Sequence, residues 1–145
     1  MAVKPIPEGY HTVTPYMTVQ GADTLIAFLK EAFGALESER LTGENGRIQH
    51  AEVRIGDSVV MMAQATEQWT AMPSAIYLYV DDTDATYRRA LQAGATSVME
   101  PADQFYGDRN AGVQDPVGNY WWIATRIEDV SSEELARRAA AQGKR

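Results

Sequence analysis

Two side chains suited to acid–base or metal chemistry lie two residues apart in the stretch IQHAEVRIGDSVVMMA, residues 48–63. His50 and Glu52 share one face if this stretch begins with a β-strand, because the side chains of a strand alternate between faces. An imidazole beside a carboxylate can work as a general base or hold a divalent metal ion. His50 and Glu52 are therefore candidate catalytic residues.

The face that His50 occupies depends on the turn at residues 56–57, a Gly-Asp pair. A two-residue turn places His50 on the same face as Met61, whereas a three-residue turn places it with Val60. The sequence leaves both registers open.

A second polar group lies in the segment FYGDR, residues 105–109. Asp108 and Arg109 could orient a substrate anion, and the guanidinium of Arg109 could clamp a carboxylate through two hydrogen bonds. Asp108 is the third candidate catalytic residue, and Arg109 a candidate ligand-binding residue. The structural alternative is that Asp108 bonds to its own turn while Arg109 forms an ion pair that ties the loop to the sheet.

Aromatic side chains alternate with aliphatic ones along three predicted strands. The aliphatic faces are expected to meet helices, and the threonine and tyrosine faces to line a cleft. Such a wall suits a flat or apolar small molecule that phenol hydroxyls orient, although strand aromatics can also serve packing or dimer contacts. The predicted cleft lining consists of Tyr16, Met62, Tyr77, Tyr79 and Trp122.

An internal repeat organises these residues. Residues 14–35 match residues 75–95 as strand, acidic turn and helix, and residues 48–63 match residues 111–124 as paired strands. The sequence therefore predicts one domain over residues 1–145, with βαβββ modules at about residues 10–65 and 74–126. A terminal helix follows at about residues 130–142. Asp23 or Thr24 is expected to cap the first helix, and Asp82 or Thr83 the second.

Composition excludes several classes of partner. The net charge of −7 and the pI near 4.8 argue against nucleic acid and against an anionic membrane surface. No apolar run reaches the ~18 residues of a spanning helix. The N-terminus lacks the pattern of a signal peptide, which predicts a cytoplasmic protein. The absence of cysteine excludes thiolate chemistry.

Four segments carry a resemblance to a known family: HTVTPYMTV, HAEVRIGDSVVMMA, FYGDR and DPVGNYWWIAT. Together they resemble the vicinal-oxygen-chelate superfamily of glyoxalases, bleomycin-resistance proteins and extradiol dioxygenases, in the branch named after the phosphonate-operon B protein. The resemblance covers roughly residues 10–130. It implies an α+β fold in which two βαβββ modules form an open curved barrel around a cleft with helices outside. It also implies a homodimer.

The resemblance further implies where a metal would bind. Metal enzymes of the superfamily use His or Glu on the first and fourth strands of each module. The matching positions here are Thr14 and Ala75 on first strands, and Val60 and Trp122 on fourth strands, to within one residue. None of these residues is a good ligand for a divalent ion. The sequence thus predicts no cofactor and no metal centre of the usual kind.

The expected function is a metal-free protein that sequesters a small aromatic or drug-like ligand. The alternative is a metal-dependent enzyme of the glyoxalase or dioxygenase type with a non-standard site around His50 and Glu52, for which a divalent metal would be the cofactor. A third possibility is a cleft filled by its own side chains in a protein that acts only through partners.

Overall fold

Two four-stranded sheets, each with one helix, form the body of the computed structural model, which describes residues 2–143. In the first, strands β1 (Tyr16–Val19), β2 (Leu36–Thr42), β3 (Ile48–Ile55) and β4 (Ser58–Gln64) are ordered β1-β4-β3-β2, and helix α1 (Ala22–Phe33) connects β1 to β2. A short 3-10 turn, Glu44–Gly46, links β2 to β3.

The second sheet repeats this plan. Strands β5 (Ala75–Tyr79), β6 (Thr96–Asp103), β7 (Asp108–Gln114) and β8 (Tyr120–Arg126) are ordered β5-β8-β7-β6, and helix α2 (Thr83–Gln92) follows β5. A last helix, α3, spans Ser132–Gln142. The predicted α+β fold of two βαβββ modules and a C-terminal helix is confirmed, and the two sheets do not close into a barrel. No helix among residues 2–143 is both long and apolar enough to cross a membrane.

Each module has one parallel and two antiparallel strand pairs. The parallel pairs are β1 with β4 and β5 with β8, while the remaining neighbours run antiparallel. A parallel pair needs a long crossover connection, and α1 and α2 lie within these connections. Each helix packs on one side of its own sheet, so the opposite side of each sheet carries no helix of its own module.

The two modules share one hydrophobic core. Helices α1 and α2 contact each other, and the ring of Phe33 packs against Trp121 of the second sheet at a centroid distance of 5.1 Å. The core cluster joins Met17 and Leu25 of the first module to Trp121 and Ile123 of the second, all of them buried. The helix sides of both sheets therefore belong to one core.

The cap of α1 differs from the prediction. The backbone N–H groups of Gly21 and of the next residue both donate to Oε1 of Gln64, each at 3.0 Å. Gln64 comes from the end of β4, so neither Asp23 nor Thr24 caps this helix, and that prediction is wrong. The cap of α2 is one of the two predicted, because the carboxylate of Asp82 accepts from a backbone N–H of the first turn at 3.1 Å.

Candidate functional site

The turn between β3 and β4 decides the face of His50. Ile55 pairs with Ser58, so only two residues lie in the turn, and Glu52 pairs with Met61. Met61 in turn pairs with Tyr16 of β1. Of the two registers that the sequence left open, the two-residue turn is therefore the one present. We call the side of the first sheet that carries Tyr16, His50, Glu52 and Met61 the first open face.

The first open face carries the carboxylate of Glu52, both oxygens of which are hydrogen-bonded. Nε2 of His50 lies 2.7 Å from Oε2 of Glu52, and the hydroxyl of Tyr10 donates to Oε1 of the same carboxylate. Glu52 is buried, which raises its pKa, but the hydrogen bonds from His50 and Tyr10 outweigh burial and bring the pKa below its usual value. The carboxylate is thus ionised at neutral pH and fixes the imidazole, as in many general-base pairs.

A groove of about 530 Å³ lies on the same side of the first sheet. Its walls include Tyr16, Thr18 and Ala63, and the ring of Trp69 from the segment between the modules. Trp69 is 68% exposed, and the rings of Tyr16 and His50 lie 5.7 Å apart beside the groove. The first open face thus combines an oriented histidine with a partly apolar recess.

The second sheet carries the other tyrosines on its side away from α2. Tyr77 pairs with Trp122, and Tyr79 pairs with Ala124, which also pairs with Asn110. We call the side of the second sheet that carries Tyr77, Tyr79, Asp108, Asn110 and Trp122 the second open face. A groove of about 910 Å³ lies at the β5 edge between α2 and the turn that joins β3 to β4; Tyr77 and Tyr79 reach it, but Asp108, Asn110 and Trp122 do not line it.

Asp108 is the centre of the second open face. Its Oδ2 accepts hydrogen bonds from the hydroxyls of Tyr77 at 2.7 Å and Tyr79 at 2.9 Å, and its Oδ1 accepts from Nη1 of Arg126 at 3.1 Å. Only 2% of Asp108 is exposed. Burial raises the pKa of Asp108, but the three hydrogen bonds together outweigh it and hold the pKa below its usual value.

The same contacts keep both phenols neutral. Burial, followed by the hydrogen bond to Asp108, raises the pKa of Tyr77. The hydrogen bond to Asp108 is the main cause that raises the pKa of Tyr79. A phenol with a raised pKa does not act as a base at neutral pH, so these hydroxyls can orient a ligand but do not take a proton from it.

An asparagine side chain completes the cluster. Nδ2 of Asn110 donates to the hydroxyl of Tyr77 at 3.1 Å and to that of Tyr106 at 2.6 Å. Asn110 is 2% exposed, and its Oδ1 has no hydrogen-bond partner among residues 2–143. Beside it, the ring of Trp122 lies against the backbone of Gly112, which has no side chain to hold it off.

Sequence reasoning missed four members of these clusters: Tyr10, Tyr106, Asn110 and Arg126. Asn110 could have been found, because it lies two residues beyond Asp108 on the same strand and must share its face. Arg126 follows from the same alternation on the last strand, two residues after Ala124. Tyr10 and Tyr106 lie outside the strands, and no periodicity in the sequence points to them.

The predicted position of Met62 is wrong. Met62 pairs with Met17 and Ala51 and is completely buried on the α1 side of the first sheet. Val60 lies on that side too, so the fourth-strand position that faces away from the helix is Met61. A shift of one residue moves every side chain of a strand to the other face.

The prediction that Arg109 faces the ligand is also corrected. Nε and Nη2 of Arg109 donate to the two carboxylate oxygens of Asp84 on α2, at 2.7 and 2.9 Å. Nη1 donates to Asp103 at 3.0 Å. Arg109 therefore lies on the helix side of the second sheet, and its contacts match the structural alternative of an ion pair.

The positions at which the resemblance places metal ligands do not fit a metal. Thr14 lies just before β1 and donates to a backbone carbonyl at 3.2 Å. Ala75 and Trp122 are on the second open face, and Met61 takes the place expected for Val60. Within residues 2–143, no three His, Asp or Glu side chains lie close enough to hold a metal ion. His50 and Glu52 form a pair without a third ligand.

A family model described as the glyoxalase/bleomycin resistance protein/dioxygenase superfamily matches residues 10–123. The chain belongs to this superfamily. An uncharacterized protein of Mycobacterium bovis is 34% identical over 142 residues, which cover 90% of this chain and 93% of that protein. An uncharacterized protein of Mycobacterium tuberculosis is equally similar and is covered over 84% of its length. The finer placement in the branch of the phosphonate-operon B protein stays a prediction.

Solved structures of the superfamily share the fold. TioX from Micromonospora sp. ML1 is similar with a TM-score of 0.70 and 24% identity, over 81% of this chain and 99% of TioX. A glyoxalase/bleomycin resistance protein/dioxygenase family enzyme from Burkholderia phytofirmans is similar with a TM-score of 0.64 and 18% identity, over 79% of this chain and 97% of that enzyme. At these identities the likeness concerns the fold alone.

Proposed function

We propose that the protein is a metal-free binding protein of the cytoplasm that sequesters a small aromatic or drug-like molecule on its open faces. The proposal rests on the residue types found at the positions where metal enzymes of the superfamily have their metal ligands. Where the metal enzymes that the sequence resembles present His or Glu, this chain presents Met61, Ala75 and Trp122, with Thr14 just before the first strand. Aromatic rings and hydroxyl groups of neighbouring side chains surround these positions on the open faces.

Exposed rings support the proposal. Tyr16, Trp69, Tyr77 and Tyr79 all lie on or beside the open faces with large exposed fractions. Burying an aromatic side chain contributes more than burying most others, so clustered exposed rings on a concave surface are typical of ligand sites. The groove of about 530 Å³ beside the first open face falls in the range of small-molecule sites.

Metal analysis of the purified protein together with a ligand panel tests the proposal. We expect clearly substoichiometric zinc, iron and manganese, and a rise in melting temperature with a subset of aromatic compounds. Trp122→Ala should abolish that rise, while Ile127→Ala, which removes an exposed apolar side chain just after β8, should preserve it. Stoichiometric metal that survives chelator treatment would defeat the proposal.

A second candidate function is an enzyme that uses His50 and Glu52. The 2.7 Å contact between these two side chains and the buried position of Glu52 favour it. In the metal-dependent form, a divalent ion would need further ligands from the substrate or from water. A metal-dependent turnover that disappears in His50→Ala would support this function, and a turnover that is unchanged in this variant would exclude it.

We also propose that the protein forms a homodimer. β1 and β5 are edge strands, and Tyr16 and Tyr77 stand exposed on them. Edge strands that carry exposed rings favour association. Light scattering at micromolar concentration should give twice the chain mass of 16.0 kDa. A monomeric mass would contradict the dimer without touching the ligand proposal.

A further inference from the structure

The hydroxyl hydrogens of Tyr77 and Tyr79 are used up within the protein, whereas the oxygen of Tyr79 is left free to accept a hydrogen bond. Asp108 is ionised, so it can only accept, and the hydroxyls of Tyr77 and Tyr79 must therefore spend their hydrogens on it. The oxygen of Tyr79 keeps both lone pairs, while that of Tyr77 accepts one hydrogen bond from Asn110. Because Tyr79 is 60% exposed, its oxygen is open to a ligand that approaches the sheet.

Asn110 adds another hydrogen-bond acceptor to the second open face. Its Nδ2 already donates to the hydroxyl oxygens of Tyr77 and Tyr106. Its Oδ1 is buried and has no donor among the described residues, which is uncommon for a buried carbonyl oxygen. A second acceptor thus lies in the amide group next to the Tyr77 hydroxyl.

The rings of Tyr77 and Tyr79 also favour a cationic ligand. The rings of Tyr77 and Tyr79 lie 5.3 Å apart with an interplanar angle of 58°, which makes an open corner. The faces of aromatic rings carry partial negative charge and attract cations. A cation in this corner would meet ring faces as well as a phenol oxygen that has no hydrogen to offer.

Arg126 is the cation that contacts Asp108, and nearby carboxylates offset its charge. Its Nη1 donates to Asp108 at 3.1 Å and to the backbone carbonyl of Tyr106 at 3.0 Å. Its Nε lies 3.6 Å from Asp129. Two carboxylates therefore share one guanidinium, and the protein as a whole carries a charge of −7. Neither fact favours an anionic ligand.

We propose that the second open face selects ligands that carry a protonated amine, with the alkylammonium group in the corner between Tyr77 and Tyr79 and hydrogen-bonded to Oη of Tyr79. This inference rests on the proposed function and names the chemical class of its ligand: an aromatic molecule with an aliphatic amine. A carboxylate at the same position would face the lone pairs of Oη of Tyr79, whose hydrogen is already donated to Asp108.

Three probes with one ring system separate the possibilities: 1-naphthylmethylamine, 1-naphthylmethanol and 1-naphthylacetate. We expect the amine to bind at least about fivefold more tightly than the alcohol at low salt, and the carboxylate to bind most weakly. Isothermal titration calorimetry or ligand-detected NMR gives the dissociation constants. Equal affinities for amine and alcohol would overturn the inference and leave the proposed function standing, whereas no binding of any probe would count against the proposed function itself.

Two variants test the geometry. Tyr79→Phe keeps the ring and removes the oxygen, so it should lower the preference for the amine at least about twofold while leaving alcohol binding nearly unchanged. Tyr120→Phe, which removes a phenol oxygen that makes no hydrogen bond within residues 2–143, is the matched control and should keep the full preference. Asp108→Asn offers donors of its own to the phenols and frees their hydrogens, so the preference should disappear or reverse. If Tyr79→Phe and Asp108→Asn, both shown to be folded by circular dichroism, keep the full preference, the assignment is wrong.

Discussion

The ring of Trp122 occupies the space that a Cβ atom on residue 112 would need, so the missing side chain of Gly112 lets this ring lie against the sheet. In Gly112→Ala the new methyl group would fall far inside van der Waals contact of Cζ3 of Trp122, so the ring must swing off the sheet. We expect aromatic ligands to bind about tenfold more weakly, as calorimetry can measure. The free energy of unfolding should change by only about 1 kcal/mol, since the lower chain entropy of alanine offsets part of the strain. Gly143→Ala, whose Cβ meets nothing closer than 3.7 Å, is the control and should bind normally.

Asp108 should make the stability of the protein depend on pH in the acid range. Its pKa is lower in the folded protein than the value of about 3.9 in an unfolded chain, so its stabilising contribution is complete above about pH 5. It is lost as the pH falls through the folded pKa. At pH 7, Asp108→Asn should cost about 1–3 kcal/mol in urea unfolding, and this difference from the wild type should shrink below pH 4. Asp81→Asn at an exposed position should give a curve parallel to the wild type. A difference for Asp108→Asn that is constant from pH 3 to pH 7 would argue against an ionised Asp108.

Tyr10 should hold the N-terminal arm on the first open face. Its hydroxyl reaches the carboxylate of Glu52, and the neighbouring Gly9 carbonyl accepts from Arg54 at 3.5 Å. In Tyr10→Phe we expect faster amide hydrogen exchange in residues 8–14 and a loss of about 1 kcal/mol in stability. Tyr120→Phe removes a hydroxyl that makes no hydrogen bond within residues 2–143 and should leave exchange in the arm unchanged. Unchanged exchange in Tyr10→Phe as well would show that the arm is held by other contacts.

Arg109 should contribute slightly to the stability of the fold and should not affect the affinity for ligands. Its guanidinium joins β7 to α2 through Asp84, but more than a third of each side chain is exposed, so water screens the pair. A double-mutant cycle with Arg109→Ala and Asp84→Ala should show a small favourable coupling that decreases as salt is added. The dissociation constant for an aromatic ligand should stay at the wild-type value in both single variants. A several-fold loss of affinity in Arg109→Ala alone would return this residue to the ligand site.

Alternation within a strand was predictable, because it needs no knowledge of the neighbouring strands. Tyr16 and Met17 fall on opposite faces as expected, and so do Trp121 and Trp122. The internal repeat likewise predicted two modules of the same plan. These features are local, and a single chain segment contains all the information that determines them.

The register between strands and the contacts between distant segments were harder to predict from the sequence. The position of Met62 depends on the length of one turn, and an error of one residue there places it on the wrong face. The contact of Tyr10 with Glu52 spans 42 residues, and the cap that Gln64 provides for Gly21 spans 43. Such contacts arise from packing of the whole module, so nothing in the local pattern marks them.

The two modules have diverged at matching positions of their open faces. In the first, the ring of Tyr16 lies beside His50, while in the second the hydroxyl of Tyr77 accepts from Asn110. Strand pairing makes these positions equivalent, since Tyr16 and Tyr77 each pair with the fourth strand of their module, through Met61 and Trp122. The titratable side chain of His50 in the first module thus corresponds to the neutral amide of Asn110 in the second. The two open faces therefore present different chemical groups.

The contact of Phe33 with Trp121 also constrains how the chain can be divided. Each half presents its apolar helix side to the other, so a fragment cut within residues 65–74 would leave that surface in water and aggregate or stay unfolded alone. Produced together, the two fragments carry complementary surfaces and every strand pairing within its own fragment. They should reassemble without a covalent link, which would make the protein a split reporter whose reconstitution a bound ligand could promote.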